Sequence, residues 1–581
     1  MLSRRSNLAS QVLIGIILVA FVALTGRLIY IQSYEGTRLL SRAARQQHSV
    51  VPLRHRRGLI VDSNGRIIAG TLLRKSVFAD PTVIPEKHEA ATAVERILGV
   101  ASAEILSDLV ADDRRFFLIR RGVSEEQARL IGDAGIYGLG VFDEPYRTYP
   151  MSTVASALIG FVSPDGVGVS GIEHQCESWL RGQDGVKTIV RDAGRKAFWL
   201  AQGGYRPPRD GYHVVLTIDA EIQANAERAL AECLEQFSAE SAVAVVMHPS
   251  SGAILAMANA PVFDLNHYRD AAPTLYRNRV ITDPYEPGST FKPFVAAAAL
   301  TDGAVRLGEI FDCEQGAWQD GARVLHDHHP YGLLRFDEVI IKSSNVGMAK
   351  LGKRLGNRRL YDCVRSFGFG SPTGIDLEGE GAGIVQPFVR WGPFTTTSIP
   401  IGQEIAVTPI QLARAFCAFA NGGLLVQPHV IRAVMTSDGR VVSDFSNPPD
   451  EGRAVSQEVA DVMRKDLLCR AVEQGTGQKS RLDGYYVFGK SGTAQIARRG
   501  GGGFEKDAYV SSFIAGAPVR DPQLVVLVSV TRPKKSLGYY GGTVAAPVVR
   551  QILSHGLAYL QVPPDRPRGS MTAALADPPL D

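Results

Sequence analysis

The sequence predicts an α+β chain: an N-terminal transmembrane helix, an extended α/β pedestal domain, and a larger domain whose antiparallel sheet is sandwiched by helices. Three observations carry this expectation. Residues 12–24 form an apolar run that resumes, past Thr25-Gly26-Arg27, as Leu28-Ile29-Tyr30-Ile31. Residues 57–69 read as two short strands around an Asn64-Gly65 turn. From Gly211 onward, strand patterns stand at both ends of a long segment with helical patterns between them. The expected divisions are 1–34 for a cytoplasmic tail and anchor, 35–210 for the pedestal, 211–562 for the sheet domain, and 563–581 for a disordered tail rich in proline and alanine.

Composition bounds the function. A chain of 581 residues exceeds one compact core, and two to four domains are expected. A hydrophobic share of 45% and a charged share of 21% are those of an ordinary folded protein. A net charge of +4 over this length makes no case for nucleic acid, whose footprint needs a concentrated basic face. Cys176, Cys233, Cys313, Cys363, Cys417 and Cys469 are scattered without a C-x-x-C pair, so neither a zinc site nor a disulfide framework is expected. Cys417 and Cys469 sit among apolar neighbours, which predicts buried thiols.

A membrane span needs about 20 residues for a hydrocarbon core of roughly 30 Å, and the first run reaches that length when Arg27 snorkels to an interface. No small-residue cleavage site follows, so an uncleaved signal anchor is expected rather than a removed signal peptide. Arg38, Arg42, Arg45, Arg54, Arg56 and Arg57 follow the span, and a count of charges would put that side inside. Long domains translocate regardless of such charges, so charge alone leaves the orientation open. Arg54-His55-Arg56-Arg57 reads equally as a contact for anionic lipid or as a solvated basic face.

In the pedestal, residues 76–80 predict a further short strand, and 89–98 and 124–132 predict helices. Gly166 to Gly171 matches G-x-G-x-x-G with Asp192 about 20 residues on, but no train of alternating strands and helices surrounds it. A glycine-rich turn is expected there, not a nucleotide site. In the last region 214–219 is a strand, and Asp219 caps a helix running to 237. Residues 242–247 and 253–258 form a hairpin, 511–517 and 524–531 two more strands, and 544–560 the closing helix.

Glu286-Pro287-Gly288-Ser289-Thr290-Phe291-Lys292 places a serine and a lysine three residues apart, hence on one face of a helix. Ser289 falls at the helix start, where free N–H groups favour developing negative charge. Alone, this spacing is equally a capping serine with an incidental lysine. Lys342-Ser343-Ser344-Asn345-Val346-Gly347 carries S-x-N at the mouth of a helical run. Gly489-Lys490-Ser491-Gly492-Thr493-Ala494 carries K-S-G at the start of a strand, where the missing side chain of Gly492 lets a ligand lie against the backbone. S-x-x-K, S-x-N and K-S-G, in that order within one domain, are the signature of serine acyl transfer. His326-Asp327-His328-His329 is expected to be a loop near the cleft, ordered by His328, rather than a metal cluster. Arg498-Arg499-Gly500-Gly501-Gly502-Gly503 is expected to be a flexible hairpin tip. No metal and no other cofactor is expected.

On these residues the chain resembles the class B penicillin-binding proteins, most closely the septal, FtsI-type peptidoglycan D,D-transpeptidases. The resemblance runs from the anchor to about Leu560. It is also carried by the R-G-x-I-x-D-x-N-G hairpin at Arg57 to Gly65, Gly171-Ile172-Glu173, Leu216-Thr217-Ile218-Asp219, Gly402-Gln403 with Val407-Thr408-Pro409, and Tyr540-Gly541-Gly542. Ser63 stands where the family has arginine and Ile68 where it has leucine, both away from the three motifs. Chain length, Phe78-Ala79-Asp80-Pro81, and Arg147-Thr148-Tyr149-Pro150 leading into Leu158-Ile159-Gly160-Phe161 favour the septal group.

The resemblance implies that Ser289 attacks the carbonyl between two terminal D-alanines of a peptidoglycan stem peptide and forms an acyl-enzyme. Lys292 would be the base, its proton affinity lowered by burial and the field of Lys490. Ser343 would relay a proton to the leaving amine, and Asn345 would hold the substrate amide and the Lys292 head. Lys490, Ser491 and Thr493 would grip the terminal carboxylate, with Gly492 between them. The oxyanion would lie between the N–H groups of Ser289 and Thr493. It further implies β-lactam binding, an FtsW-type glycosyltransferase and other divisome membrane proteins as partners, and a non-catalytic, dimerisation-type pedestal. The location implied is a single pass through the inner membrane with the catalytic domain outside the cytoplasm. An elongation-specific transpeptidase, a D,D-carboxypeptidase or β-lactamase on the same fold, and a non-enzymatic β-lactam receptor are the alternatives.

Overall fold

The computed structural model describes residues 2–39, 48–111, 116–191, 197–448, 452–498 and 503–567. It divides into two units, Met1–Arg56 with Gly182–Asp210, and Arg57–Arg181 with Gly211–Asp581.

In the first unit, Leu2–Tyr30 is one α-helix that continues through a π-helical turn, Ile31–Glu35. Its apolar side chains are exposed on every side, from Val12 and Leu13 to Leu28 and Ile29. The stretch Asn7–Leu39 is long and apolar enough to cross a membrane. The unit also holds a three-stranded antiparallel sheet, His48–Leu53, Gly185–Arg191 and Ala197–Arg206 in that order. Asp184 accepts from Arg54 at 2.8 Å and pairs with the His55 ring at 2.7 Å, so the basic stretch is partly neutralised within the unit.

The second unit contains two larger sheets. One runs Val441–Asp444, Ile431–Met435, His213–Leu216, Ile60–Val61, Ile67–Ala79, with Phe117–Val123 and Leu139–Thr148 both on the last of these. The separate strand expected at 76–80 is the far end of Ile67–Ala79. No turn residue interrupts 71–75, and Leu139–Thr148 pairs with it continuously from Gly70↔Thr148 to Ala79↔Leu139. Lys87–Leu98, Ser102–Ala111 and Glu125–Asp133 are helices, the third opened by a capping box on Ser124. The glycine-rich stretch is a turn: a Cβ on Gly168 would lie 2.0 Å from the Glu173 carbonyl oxygen, and the helix that follows, Gly171–Gln175, is five residues long. Asp192, Arg499 to Gly502 and the tail beyond Pro567 lie outside the described residues.

Behind the hairpin sits a buried ion cluster. The fully buried Glu173 carboxylate accepts from Arg57 Nε at 2.7 Å and from Arg147 Nε at 2.6 Å, and the Tyr149 hydroxyl donates to it at 3.3 Å. Asn64 donates to Asp219 at 2.7 Å, and Asp62 accepts from Ala220 N at 3.2 Å, which fastens the hairpin turn to the start of the helix Ala220–Phe237.

The other sheet is antiparallel throughout, in the order Ile254–Ala260, Ser241–Met247, Leu524–Thr531, Phe504–Ala517, Phe488–Ala497. Its strands read as continuous apolar runs because both faces are covered. Ala242, Ala244 and Val246 pack with the helices Ala220–Phe237 and Gly541–Tyr559, while Val243, Val245 and Met247 pack on the opposite face with Lys292–Thr301 and Pro409–Ala420. Phe488–Ala497, which carries K-S-G, is an edge strand, so one side of its backbone is left without a neighbouring strand. All six cysteines are free thiols; Cys417 is buried as expected, but Cys469 is only partly covered, because at the head of Cys469–Glu473 it is Ala471 and Val472 that turn to the core.

Candidate active site

Three elements meet at the edge of this sheet, and each brings one motif. A 3₁₀ turn, Gly288–Phe291, runs directly into the α-helix Lys292–Thr301. Ser289 therefore lies on the turn before the helix proper, with Lys292 at the first helical position. The turn is held from two sides. Gly288 donates to the Gly402 carbonyl at 3.1 Å, and Thr290 donates to the Pro287 carbonyl at 2.7 Å. Phe291 and Phe294 anchor it below, against Phe369, Phe367 and Phe419.

Lys292 is fully buried. Its Nζ donates to the Ser343 carbonyl at 2.6 Å, the Asn345 Oδ1 at 2.8 Å and the Ser343 Oγ at 3.2 Å. Burial lowers its pKa from 10.5 to about 7, against the opposing pull of Asp327 and then Cys313. Lys490 is also fully buried, and its Nζ donates to Ser343 Oγ at 2.9 Å and to the Ser491 carbonyl at 3.2 Å. Burial first, and the Lys292 charge second, hold Lys490 well below the ordinary lysine range. The two ammonium groups repel each other, and for Lys292 desolvation is the main cause of the shift.

Ser343 sits between the two lysines in a left-handed backbone, φ +61°, which a non-glycine residue adopts only under constraint. Its hydroxyl has two lone pairs and one proton. When Lys292 is an ammonium and both lysines donate to this hydroxyl, its proton is left for a third partner. Asn345 begins the helix Asn345–Ser366, its amide fixed by donation from Nδ2 to the His326 carbonyl at 2.9 Å. Ser344, buried between them, caps the same helix by accepting from Gly347 N at 3.0 Å.

On the edge strand, Ser491 Oγ is hydrogen-bonded to Thr476 Oγ1 at 2.6 Å, and Thr493 Oγ1 accepts from Gly541 N at 3.0 Å. The space beside Gly492 is filled by the protein itself: a Cβ there would lie 2.6 Å from Ser512 Oγ, 2.7 Å from the Pro287 carbonyl oxygen and 2.8 Å from Thr290 Cγ2. Gly492 thus lets the serine turn pack against the strand, rather than making room for a ligand. Gly288 repays the approach from the other side, since its Cβ would stand 2.9 Å from the Thr493 carbonyl oxygen.

The structure thus brings Ser343, Asn345, Lys292 and Lys490 into one hydrogen-bonded group, with Ser289 on the turn that packs against Gly492 and Thr493. Asp327 to His329 form a loop at this site, following the strand that ends at His326, and Asp327, not His328, does the ordering. Asp327 accepts from Ser344 Oγ at 2.7 Å, from Val346 N at 3.1 Å, and from Asn345 N. His328 instead packs edge-on to Tyr540 with ring centres 5.3 Å apart, its pKa lowered by burial and then by Lys292. Among the described residues no group of three or more His, Cys, Asp or Glu could hold a metal ion. Thr476, Gly402 and Asp327 lie outside the three motifs; Gly402-Gln403 and the His326 to His329 stretch mark two of them in the sequence, and nothing there marks Thr476.

Comparison with known proteins matches two domains. Residues 52–216 match the penicillin-binding protein dimerisation domain, and 242–554 match the penicillin-binding protein transpeptidase domain. Stage V sporulation protein D of Bacillus subtilis is 34% identical over 565 residues, covering 96% of this chain and 86% of that protein. The probable peptidoglycan D,D-transpeptidase PbpC of Pseudomonas aeruginosa is 32% identical over 577 residues, covering 99% of both. The peptidoglycan D,D-transpeptidase FtsI of Escherichia coli is 29% identical over 563 residues, covering 95% of this chain and 92% of that one. Among solved structures, penicillin-binding protein 3 of Mycobacterium tuberculosis in complex with aztreonam superposes with a TM-score of 0.69 at 27% identity, covering 89% of this chain and 99% of that one. With both domains matched in order, and the three motifs gathered at one sheet edge, the chain belongs to the class B penicillin-binding proteins, a family of peptidoglycan D,D-transpeptidases.

Proposed function

We propose that this chain cross-links peptidoglycan stem peptides during septal wall synthesis, through an acyl-enzyme on Ser289. The observation that carries the proposal is the shared Ser343 hydroxyl, held by two buried lysines beside the serine turn. Neutral Lys292 has two N–H groups and one lone pair. The two N–H groups serve the short bonds to the Ser343 carbonyl and Asn345 Oδ1, and the lone pair takes the Ser289 proton. Ser289 Oγ attacks the carbonyl between the two terminal D-alanines, and the oxyanion falls between the N–H groups of Ser289 and Thr493. The Ser343 proton passes to the leaving nitrogen and is replaced from the Lys292 ammonium 3.2 Å away. D-alanine departs, and the amine of a neighbouring stem then displaces Ser289 to form the cross-link, the amine's lost proton returning to the Ser289 oxygen through the same groups.

Lys490, Ser491 and Thr493 receive the terminal carboxylate along the edge strand, with Gly492 keeping the serine turn against it. β-Lactams acylate the same serine, a reading supported by the aztreonam complex of the Mycobacterium tuberculosis relative. The septal role is supported by the likeness to FtsI of Escherichia coli. The division 1–34 anchor, 35–210 pedestal, 211–562 transpeptidase and 563–581 tail, a periplasmic catalytic domain, and an FtsW-type glycosyltransferase as membrane partner belong to the same reading. Peptidoglycan lies outside the membrane, so residues after the anchor lie there too.

The test is labelling of the full chain by a fluorescent penicillin, wild type beside Ser289→Ala, followed over hours. Stable label on the wild type and none on the variant is expected. Label lost within seconds would indicate a β-lactamase, and an unlabelled but folded wild type would end the acyl-enzyme reading. Depletion in cells separates the two transpeptidase roles, since filamentation is expected of a septal enzyme and rounding of an elongation enzyme.

A further inference from the structure

We propose that Asp327 is a positioning residue of this active site, one that clamps the start of the Asn345 helix and supplies the negative charge balancing a proton on the Lys292–Lys490 pair. The proposal rests on the acyl-enzyme reading above and assigns a role to a residue that belongs to none of the three motifs.

Three hydrogen bonds converge on this carboxylate, and all come from the same helix start. Asn345 N and Val346 N donate to Oδ1, and Ser344 Oγ donates to Oδ2. The N-terminus of the helix that runs from Asn345 to a break at Gly356 offers unsatisfied N–H groups and a partial positive charge, so a carboxylate there is favoured on both counts. Asp327 itself is held by its own N–H, which donates to the Gly316 carbonyl at 2.9 Å. The preceding residue, His326, ends the short strand Arg323–His326, and its carbonyl takes the Asn345 side chain. The loop therefore grips Asn345 by backbone and side chain at once, while the Asn345 Oδ1 grips Lys292. A shift of this helix start would move the acceptor of the base.

The charge argument is independent of the clamp. Two lysines share one hydroxyl in a buried site, and each disfavours the proton of the other. The groups that face Lys292 are Asp327 and Cys313 from the loops on one side, Lys490 from the edge strand on the other, and the His328 ring, which responds to both lysines. Cys313 is a neutral thiol whose pKa is raised by burial, so Asp327 is the anionic member of this set. One carboxylate against two lysines suits a site carrying a single proton on the pair, with the other lysine neutral. In the acylation step the substrate carboxylate received by Lys490 favours the proton there, which leaves Lys292 as the neutral lysine.

The experiment measures the rate of acylation by fluorescent penicillin between about pH 5 and pH 9, using the full chain in detergent, for wild type, Asp327→Asn and Asp327→Ala. The rate constant is read per molecule, so it does not depend on the folded fraction. Asparagine keeps the Oδ1 acceptor and removes the charge. Its expected effect is a profile whose midpoint falls by about one pH unit, because Lys292 loses its proton more readily once the nearby anion is gone. Alanine removes the clamp as well, and an additional loss of about tenfold or more in the plateau rate is expected as Asn345 loses its anchor. An Asn variant with the wild-type midpoint overturns the charge role whatever its plateau, and an Ala variant with the Asn variant's plateau overturns the clamp. Should the Ala variant fail to fold, the Asn midpoint decides. A wild type that does not acylate counts against the proposed function instead.

Discussion

At the scale of single residues, the site is a problem in desolvation. An ordinary lysine is a proton carrier at neutral pH and cannot accept the proton of a serine. Burial of Lys292 brings its pKa to about 7, while Asp327 limits the fall. In the proposed mechanism the working form is the neutral amine, so acylation is expected to rise with pH, with a midpoint near 7 rather than near 10.5. Stopped-flow acylation of the wild type across that range checks the prediction, and a rate flat through pH 7 would remove Lys292 as the base. Ser343 adds a second residue-scale feature. Its left-handed backbone costs roughly 1–2 kcal/mol, and the conformation presents its carbonyl and its hydroxyl to the same lysine.

At the scale of elements, close approach is achieved by glycine. Gly288, Gly402 and Gly492 let the serine turn, the 402–404 loop and the edge strand stack so tightly that a Cβ on Gly402 would stand 2.1 Å from the Gly288 carbonyl oxygen. The helix Ala220–Phe237 shows a different device. Its buried Glu227 accepts from Gln223 Nε2 and from Ala155 N, both at 2.8 Å, and burial pushes its pKa from 4.5 up to about 7. An acid with a raised pKa contributes stability that is fully present below its unfolded value and is lost as pH rises through the folded one. Glu227→Gln, which keeps an acceptor and removes the charge, should therefore leave stability unchanged near pH 4.5 and raise it by about 3 kcal/mol above pH 7. Thermal melting at the two pH values tests this, and an equal shift at both would mean that packing, not charge, governs the site.

At the scale of the molecule, the second unit is assembled from segments far apart in the chain. His213–Leu216 lies between Ile60–Val61, parallel to it, and Ile431–Met435, antiparallel, so one sheet joins the hairpin after the anchor to the body of the chain. The Glu173 cluster reinforces that join by pairing with Arg57, 116 residues away, and Arg147, 26 residues away. Removing the carboxylate leaves Arg147 buried without its ionic partner, while Arg57 keeps Glu177. Glu173→Ala is expected to cost about 3–5 kcal/mol, visible as a lowered melting temperature of the full chain. An unchanged melting temperature would show that water or another group takes over the pairing.

The chemistry of the site was legible in the linear chain because it resides in residue types at short spacing. Ser289 with Lys292, Ser343 with Asn345, and Lys490-Ser491-Gly492-Thr493 each fit within one turn or one strand, and local rules suffice to read them. The apolar runs at 242–247, 253–258, 511–517 and 524–531 likewise announced an antiparallel sheet sandwiched by helices. Asp327 was not legible in the same way, because an aspartate among three histidines is indistinguishable from a solvated loop until the helix start of residues 344–346 arrives to bond with it. The reason for Gly492 was equally hidden, since the atoms that exclude its Cβ come from Pro287, Thr290 and Ser512. Nor could spacing tell that the Ser343 hydroxyl is shared by two lysines, one 51 residues before it and the other 147 after. Periodicity and motif order depend on neighbours in the chain, and they sufficed for the fold class and for naming a candidate nucleophile. Burial, proton affinity and the clamp on Asn345 depend on neighbours in space, and only the folded arrangement of the three elements supplies them.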